Sequence, residues 1–246
     1  MLKSTRIHFL FFSFLLPFLF CFYDLQAVDE TSLLKGNLAK AKEGEYLITQ
    51  QCKNFSALVV QKIEGDLLDI HEISIPEQRL AQRALSWKKW LADGAPGNTS
   101  WLLYRVHIPS GTIQHTYSYT CGAWITSPQT QNFLTTLLNL KFTQIPTTER
   151  KRIGHSPPHG RGDARPLWQP PMIVEGQKVA GVPFKAWRTH WPKDGSELSN
   201  RIIEVYIPEE SEKYPTYFPY WLQISGMFGK AKVHIVDSGS GVRLEK

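Results

Sequence analysis

Cys121-Gly122-Ala123-Trp124 is the stretch of this chain that comes nearest to a nucleophile site. A cysteine hydrolase sets its thiolate beside small and aromatic residues and activates it with a histidine supplied by the fold. The known signature has a second cysteine between the small residue and the aromatic, and here Trp124 follows Ala123 directly. Asp69, His71 and Glu72 could suggest acid–base work, but successive side chains on a strand face opposite sides, so these read as exposed polar positions. His155 and His159 have the spacing of helical metal ligands, yet Ser156-Pro157-Pro158 forbids a regular helix between them. Arg161-Gly162-Asp163 is an adhesion tripeptide whose composition the surrounding basic segment already explains. Asn54-Phe55-Ser56 and Asn98-Thr99-Ser100 fit the glycosylation acceptor pattern, which matters in a eukaryotic source. There is no G-x-S-x-G elbow, phosphate loop or dinucleotide fingerprint. The sequence therefore assigns no catalytic residue, no metal ligand and no cofactor, which argues against an enzyme.

The residues that best suit binding are aromatic. Trp187 and Trp191 are followed by Tyr214-Pro215-Thr216-Tyr217-Phe218-Pro219-Tyr220-Trp221, a density of large rings that one strand cannot bury on a single face. Tyr and Trp combine contact area with a polar handle. Trp187, Trp191, Tyr217, Tyr220 and Trp221 are thus the candidate ligand-binding residues, against the simpler account of a second small core under a loop.

The elements that must hold these rings are mostly strands. Thr31 to Lys42 reads as a helix ended by Gly44. Glu45 to Gln51, Phe55 to Glu64 and Leu67 to Ile75 read as strands, the last two joined at Gly65-Asp66. Pro76 to Gly94 reads as a helix with Leu80, Ala84, Trp87 and Leu91 on one face. Ser100 to Ile108 and Thr112 to Cys121 form the clearest hairpin, and Ser127-Pro128 starts a helix with Leu134, Leu137 and Leu138 as its buried stripe. Phe142 to Ile145 is a short strand. Pro146 to Pro166 is a basic, Pro/Gly-rich linker or loop carrying a net +3. Strands follow over Val182 to Trp191, Arg201 to Ile207, Tyr217 to Ser225 and Lys230 to Asp237. The expected fold is α+β, a curved antiparallel sheet covered by a few helices on one face. Residues 28–145 form its first half, 146–166 the linker, 167–237 the strand-rich second half and 238–246 a flexible tail.

Residues 1–27 read as a secretory signal peptide: Lys3 and Arg6, an apolar run from Ile7 to Tyr23, then Leu25-Gln26-Ala27. The alternative is an uncleaved membrane tether, for which Ile7 to Tyr23 stands at the lower limit of a spanning length. A lipid-modified Cys21 would need small residues before it, and Leu19-Phe20 do not fit. The leader carries seven of the 13 phenylalanines, whereas all eight tryptophans lie from Trp87 onward. Its removal lowers the formal charge by one from +6, too modest and too dispersed an excess for a nucleic-acid binder. Cys52 and Cys121 remain, and in an oxidising compartment they are most simply one disulfide, stabilising by about 4 kcal/mol.

Residues 179–237 carry a family likeness. Arg201 to Ile207, Pro219-Tyr220-Trp221-Leu222-Gln223-Ile224 and Lys232 to Val236 resemble the strand succession of LolA-like periplasmic lipoprotein carriers. That resemblance implies an apolar cavity wrapped by a curved sheet and covered by helices. It brings no motif residue with it, and the tryptophan content and basic linker depart from the pattern. The reading is an exported binding or carrier protein of the cell envelope, periplasmic or extracellular, with an amphipathic ligand: lipid, glycan or peptide. The second is an extracytoplasmic interaction or structural protein that contacts acidic surfaces through the basic loop. The third is a hydrolase with a site assembled from distant residues.

Overall fold

A computed structural model describes residues 30–80, 86–126, 128–158, 162–226 and 229–245. The leader expected over 1–27 lies outside them. Among the described residues helix is confined to α1 (Leu33–Leu38), α2 (Trp87–Ala92) and α3 (Pro128–Asn139), so the fold is more β than an even α+β mixture. The strands are β1 (Tyr46–Gln51), β2 (Asn54–Glu64), β3 (Leu67–Pro76), β4 (Ser100–His107), β5 (Thr112–Ser118), β6 (Ala123–Ile125), β7 (Thr143–Gln144), β8 (Met172–Val174), β9 (Gln177–Val179), β10 (Phe184–His190), β11 (Ile202–Pro208), β12 (Trp221–Gly226) and β13 (Gly229–Gly239). Eleven of them form one antiparallel sheet in the order β6-β5-β4-β3-β2-β1-β13-β12-β11-β10-β7, and β8 and β9 form a separate hairpin. The sheet is thus continuous through both halves of the chain.

Alternation explains how the sheet buries two faces. Tyr46, Ile48, Ala57, Val59, Ile73, Ile75 and Trp101 point to one side, where Trp90 and Leu91 of α2 cover them. Leu47, Val60, Leu68, Tyr104 and Val106 point to the other, toward the packing beneath α1 and α3. Ser86 caps α2 by accepting from the Lys89 amide at 3.3 Å. At the β4–β5 turn Gly111 sits at φ +64, and a Cβ there would meet Asn139 Nδ2 at 2.8 Å. That close approach seats the end of α3, since Asn139 Nδ2 donates to the Ser110 carbonyl at 2.9 Å.

Buried polar contacts fasten β13 to β1 and to the β8–β9 hairpin. The Tyr46 hydroxyl donates to Asp237 Oδ2 at 3.3 Å, and the Gly176 amide donates to Asp237 Oδ1 at 3.0 Å. The Ser238 hydroxyl donates to the Ile173 carbonyl at 3.0 Å and accepts from Tyr220 at 3.1 Å. Burial, chiefly, raises the Asp237 carboxyl above its ordinary range, while the Gly176 and Ser238 amides and the Tyr46 hydroxyl oppose that shift.

Five expectations need correction. Helices cover both faces of the sheet and not one, because α2 packs on the apolar side opposite α1 and α3. Cys52 and Cys121 are free, exposed thiols. They lie in the β1–β2 and β5–β6 turns, four strand spacings apart in the sheet order, roughly 19 Å at about 4.8 Å per strand, whereas a disulfide tolerates a Cα separation of about 7 Å at most. The helix expected from Pro76 to Gly94 is, in the described residues, the end of β3, a 3₁₀ turn at Glu77–Arg79 and the short α2; Ala84 lies outside them. Tyr214 to Tyr220 precedes β12 and is no strand, so the alternation argued for its rings does not apply. The tail is docked: Ser238 and Gly239 belong to β13, and Val242 and Leu244 are buried against Tyr46 and Ile48, with the Val242 amide donating to Gly44 at 3.1 Å.

Two outcomes are expected. Iodoacetamide added to folded protein purified without reductant should label both Cys52 and Cys121, and an intact mass showing neither labelled would restore the bridge. A carboxyl with a raised folded-state pKa contributes stability that is fully present below its unfolded pKa and lost as pH rises through the folded value. Asp237→Asn should therefore flatten the decline in urea midpoint as pH rises above about 4, the unfolded carboxyl value. Glu45, also raised by burial, keeps a slope of the same sign in the variant.

Candidate functional site

A cavity of about 290 Å³ lies between the inner face of the first half of the sheet and helices α1 and α3. Its floor can be read from the strand register. Thr49, Ser56 and Ser74 form one cross-strand row, Leu58, Glu72 and Leu102 the next, and Ile70 and Tyr104 the one after, before Val106 and Ile113. Polarity therefore falls along the strands, from Gln51 and Asn54 at the exposed β1–β2 turn toward the aliphatic end.

The roof follows from helical spacing. Phe133, Leu134, Leu137 and Leu138 share one face of α3, and Leu34 and Leu38 come from α1. Phe133 stacks on Trp191 with ring centroids 5.4 Å apart, which anchors the roof in a neighbouring core cluster. The Ile113 amide donates to Thr135 Oγ1 at 3.3 Å, linking α3 to β5. Tyr217, Phe218 and Pro219 close a third side, where the Tyr217 hydroxyl donates to the Leu58 carbonyl at 2.8 Å.

Few polar groups face this space. Ser56 Oγ is tied to Ser74 Oγ, behind the lining, at 2.8 Å, Thr49 Oγ1 donates to the Ser56 carbonyl at 3.1 Å, and the Tyr104 hydroxyl donates to Glu72 Oε2 at 2.9 Å. Burial and the adjacent Glu72 carboxylate push the Tyr104 phenol well above its ordinary range, so it stays a donor. Glu72 is the single carboxylate in the lining, which includes no histidine, cysteine, lysine or arginine. Its sequence neighbours face away. Asp69 is held by both Arg105 Nε and Nη2, at 2.8 and 2.7 Å, and His71 Nδ1 accepts from Trp101 Nε1 at 2.7 Å in the buried core opposite. Among the described residues no three His, Cys, Asp or Glu side chains converge on a metal site.

The five aromatic candidates separate. Tyr217 lines the cavity, whereas Trp187, Trp191, Tyr220 and Trp221 do not. Tyr220 is wholly buried, Trp191 is buried with its Nε1 donating to Asp194 at 2.8 Å, and Trp187 is half-buried beside the same cluster. Trp221 packs edge-on against Trp168 at 4.9 Å. That second tryptophan also explains the basic segment: the Lys151 ammonium stands 4.4 Å from the Trp168 ring centre. Asp163 accepts from Arg165 at 2.8 Å and faces Arg152 at 3.6 Å, and these cations hold its carboxyl down at about 2. Much of the linker charge is thus engaged within the molecule; His159 and Arg161 lie outside the described residues. The aliphatic lining was missed because no motif marks it. The signal available was polar residues, Ser56, Glu72 and Ser74, on the strand face shared with Leu58 and Ile70.

No curated protein matches this chain. A solved structure at 2.0 Å resolution, the hypothetical protein CT021 from Chlamydia trachomatis, superposes with a TM-score of 0.61 over 88% of this chain and 98% of that one, at 15% identity. At that identity the likeness is one of fold. The family model described as CT021 protein matches residues 56–180, which run from β2 past β9 and make up just over half of the sequence. On that match the chain belongs to the CT021 protein family.

Proposed function

We propose that this chain is an exported carrier or binding protein that holds an amphipathic ligand in the cavity beneath α1 and α3. The observation that carries the reading is the cavity itself, about 290 Å³ with a floor and roof of aliphatic side chains and polar groups gathered at one end. An engineered apolar cavity of about 150 Å³ accepts benzene, so this volume suffices for a longer chain. Aliphatic lining favours a lipid-like tail over a glycan, which would need flat aromatic platforms.

The LolA-like pattern fits this reading. In that group a curved antiparallel sheet wraps an apolar cavity beneath helices, and we take the inner face here to curve about its cavity in the same way. Export rests on the leader, and an uncleaved leader would instead tether the protein to the membrane. No described helix is long and apolar enough to cross a membrane. The alternative reading through a basic contact loop loses weight because Lys151, Arg152 and Arg165 are engaged by Trp168 and Asp163.

N-phenyl-1-naphthylamine, a neutral apolar fluorophore, is expected to bind saturably with enhanced emission. Leu134→Trp, which fills the roof, should weaken that binding by about tenfold or more while the urea midpoint stays near wild type. Trp221→Ala, outside the cavity, should leave it unchanged; equal binding by Leu134→Trp would overturn the reading. Protein recovered from its native envelope should have an intact mass beginning at Val28, and a mass retaining residues 1–27 would favour the tether.

A further inference from the structure

We propose that the cavity selects a single-chain amphiphile with a protonated amine as its head group. This rests on the carrier reading above and adds the head-group chemistry to it.

One charge stands among the aliphatic side chains of the cavity floor. The register puts Glu72 directly between Leu58 and Leu102 on the cavity floor, a position where a leucine would continue the apolar row. The side chain is half-buried and lines the cavity. Among the described residues its carboxylate accepts one side-chain hydrogen bond, from the Tyr104 hydroxyl at 2.9 Å, and forms no salt bridge. Two other carboxylates of the sheet are paired with cations, Asp69 with Arg105 at 2.7 Å and Glu204 with Arg188 at 3.0 Å, and the buried Asp237 has a donor on each oxygen, the Gly176 amide and the Tyr46 hydroxyl. An ionised carboxylate accepts through two oxygens and about four lone-pair directions, so one donor leaves most of its capacity open. A partly desolvated charge is costly unless it is paired. A ligand ammonium would supply the missing counter-charge and donors together.

The neighbouring row sharpens the choice. Ser56, which lines the cavity and is hydrogen-bonded to Ser74 at 2.8 Å, lies on the exposed-turn side of Glu72, and its hydroxyl can accept from a remaining ammonium proton. A carboxylate or phosphate head would meet like charge at Glu72 and no arginine or lysine anywhere in the lining. A hydroxyl head could donate to Glu72 but would leave its charge uncompensated. Beyond Glu72 the floor is Ile70, Val106 and Ile113 under the leucines of α3. At about 30 Å³ per water-sized group, the volume takes on the order of ten heavy atoms of tail.

The test uses the full chain and three ligands of equal tail length, decylammonium, 1-decanol and decanoate, displacing N-phenyl-1-naphthylamine at pH 7. Wild type is expected to bind the ammonium about tenfold more tightly than the alcohol and about a hundredfold more tightly than decanoate. In Glu72→Gln the ammonium should fall to the level of the alcohol, the alcohol should be unchanged and decanoate should gain. Glu72→Asp, which keeps the charge, should retain the order. Decanoate binding as tightly as decylammonium to wild type, or an order unchanged in Glu72→Gln, would overturn the amine assignment while leaving the carrier reading intact. If none of the three displaces the probe, the carrier reading fails and this proposal with it. Should Glu72→Gln not fold, the wild-type ranking decides.

Discussion

The pairing of β13 with β1 is the contact on which the rest of the molecule depends. Strands β1 to β6 form one meander and β10 to β13 another, and they become a single sheet only where the last strand lies beside the first. The seam is built without tolerance. A Cβ on Gly239 would meet Tyr46 Cε1 at 2.7 Å and Glu175 Cγ at 2.8 Å, so the backbone passes where no side chain fits. The register slips between Ile48 and Thr49, next to Asp237, which accepts from the Tyr46 hydroxyl, and Ser238, which accepts from the Tyr220 hydroxyl. Such a seam is non-local in the extreme, so its loop-closure entropy must be met before its contacts contribute.

The cavity is a consequence of that seam. Joining the two meanders carries the segment before β12 across to β2, where Tyr217 bonds to Leu58 and Phe218 and Pro219 wall one side. The roof depends on it too, because Phe133 of α3 rests on Trp191, at the end of β10 in the second half. A space of this size forgoes packing contacts that a filled core would make. It lies beside well-packed clusters on either side, in which Tyr46, Ile48, Ile73, Ile203 and Val205 are wholly buried.

What could be read from the chain was what is local. The alternation from Leu67 to Ile75 and from Ser100 to Ile108, and the leucine stripe of α3, appear in the fold with ends shifted by a residue or a few, because each reports a nearby division between two faces. The aromatic run Tyr214 to Trp221 misled because ring density resembles a strand as much as it resembles a packed loop, and only the distant Leu58 and Ser238 decide between them. Cys52 and Cys121 misled for the converse reason. Their count suited a bridge, but their separation is set by how many strands lie between two turns, which composition does not encode. The tail carried apolar residues, Val242 and Leu244, whose partner surface is assembled from β1, β2 and α2.

The division of labour among the side chains follows from these distances. Tryptophan and tyrosine, conspicuous in the sequence, mostly occupy seams: Trp191 under α3, Tyr46 and Tyr220 at the β13 junction, Trp168 and Trp221 beneath the basic segment. Rigid rings with one polar atom suit that task, since they fill a junction and leave a hydrogen bond to set its angle. The cavity is lined chiefly by leucine, isoleucine and valine, which offer a chain-shaped ligand contact without a preferred plane. A cavity built in this way leaves no motif, because its lining is ordinary aliphatic side chains broken by a single carboxylate. Glu72 is that residue, and it looked like a solvent-facing carboxylate until the register set it between two leucines.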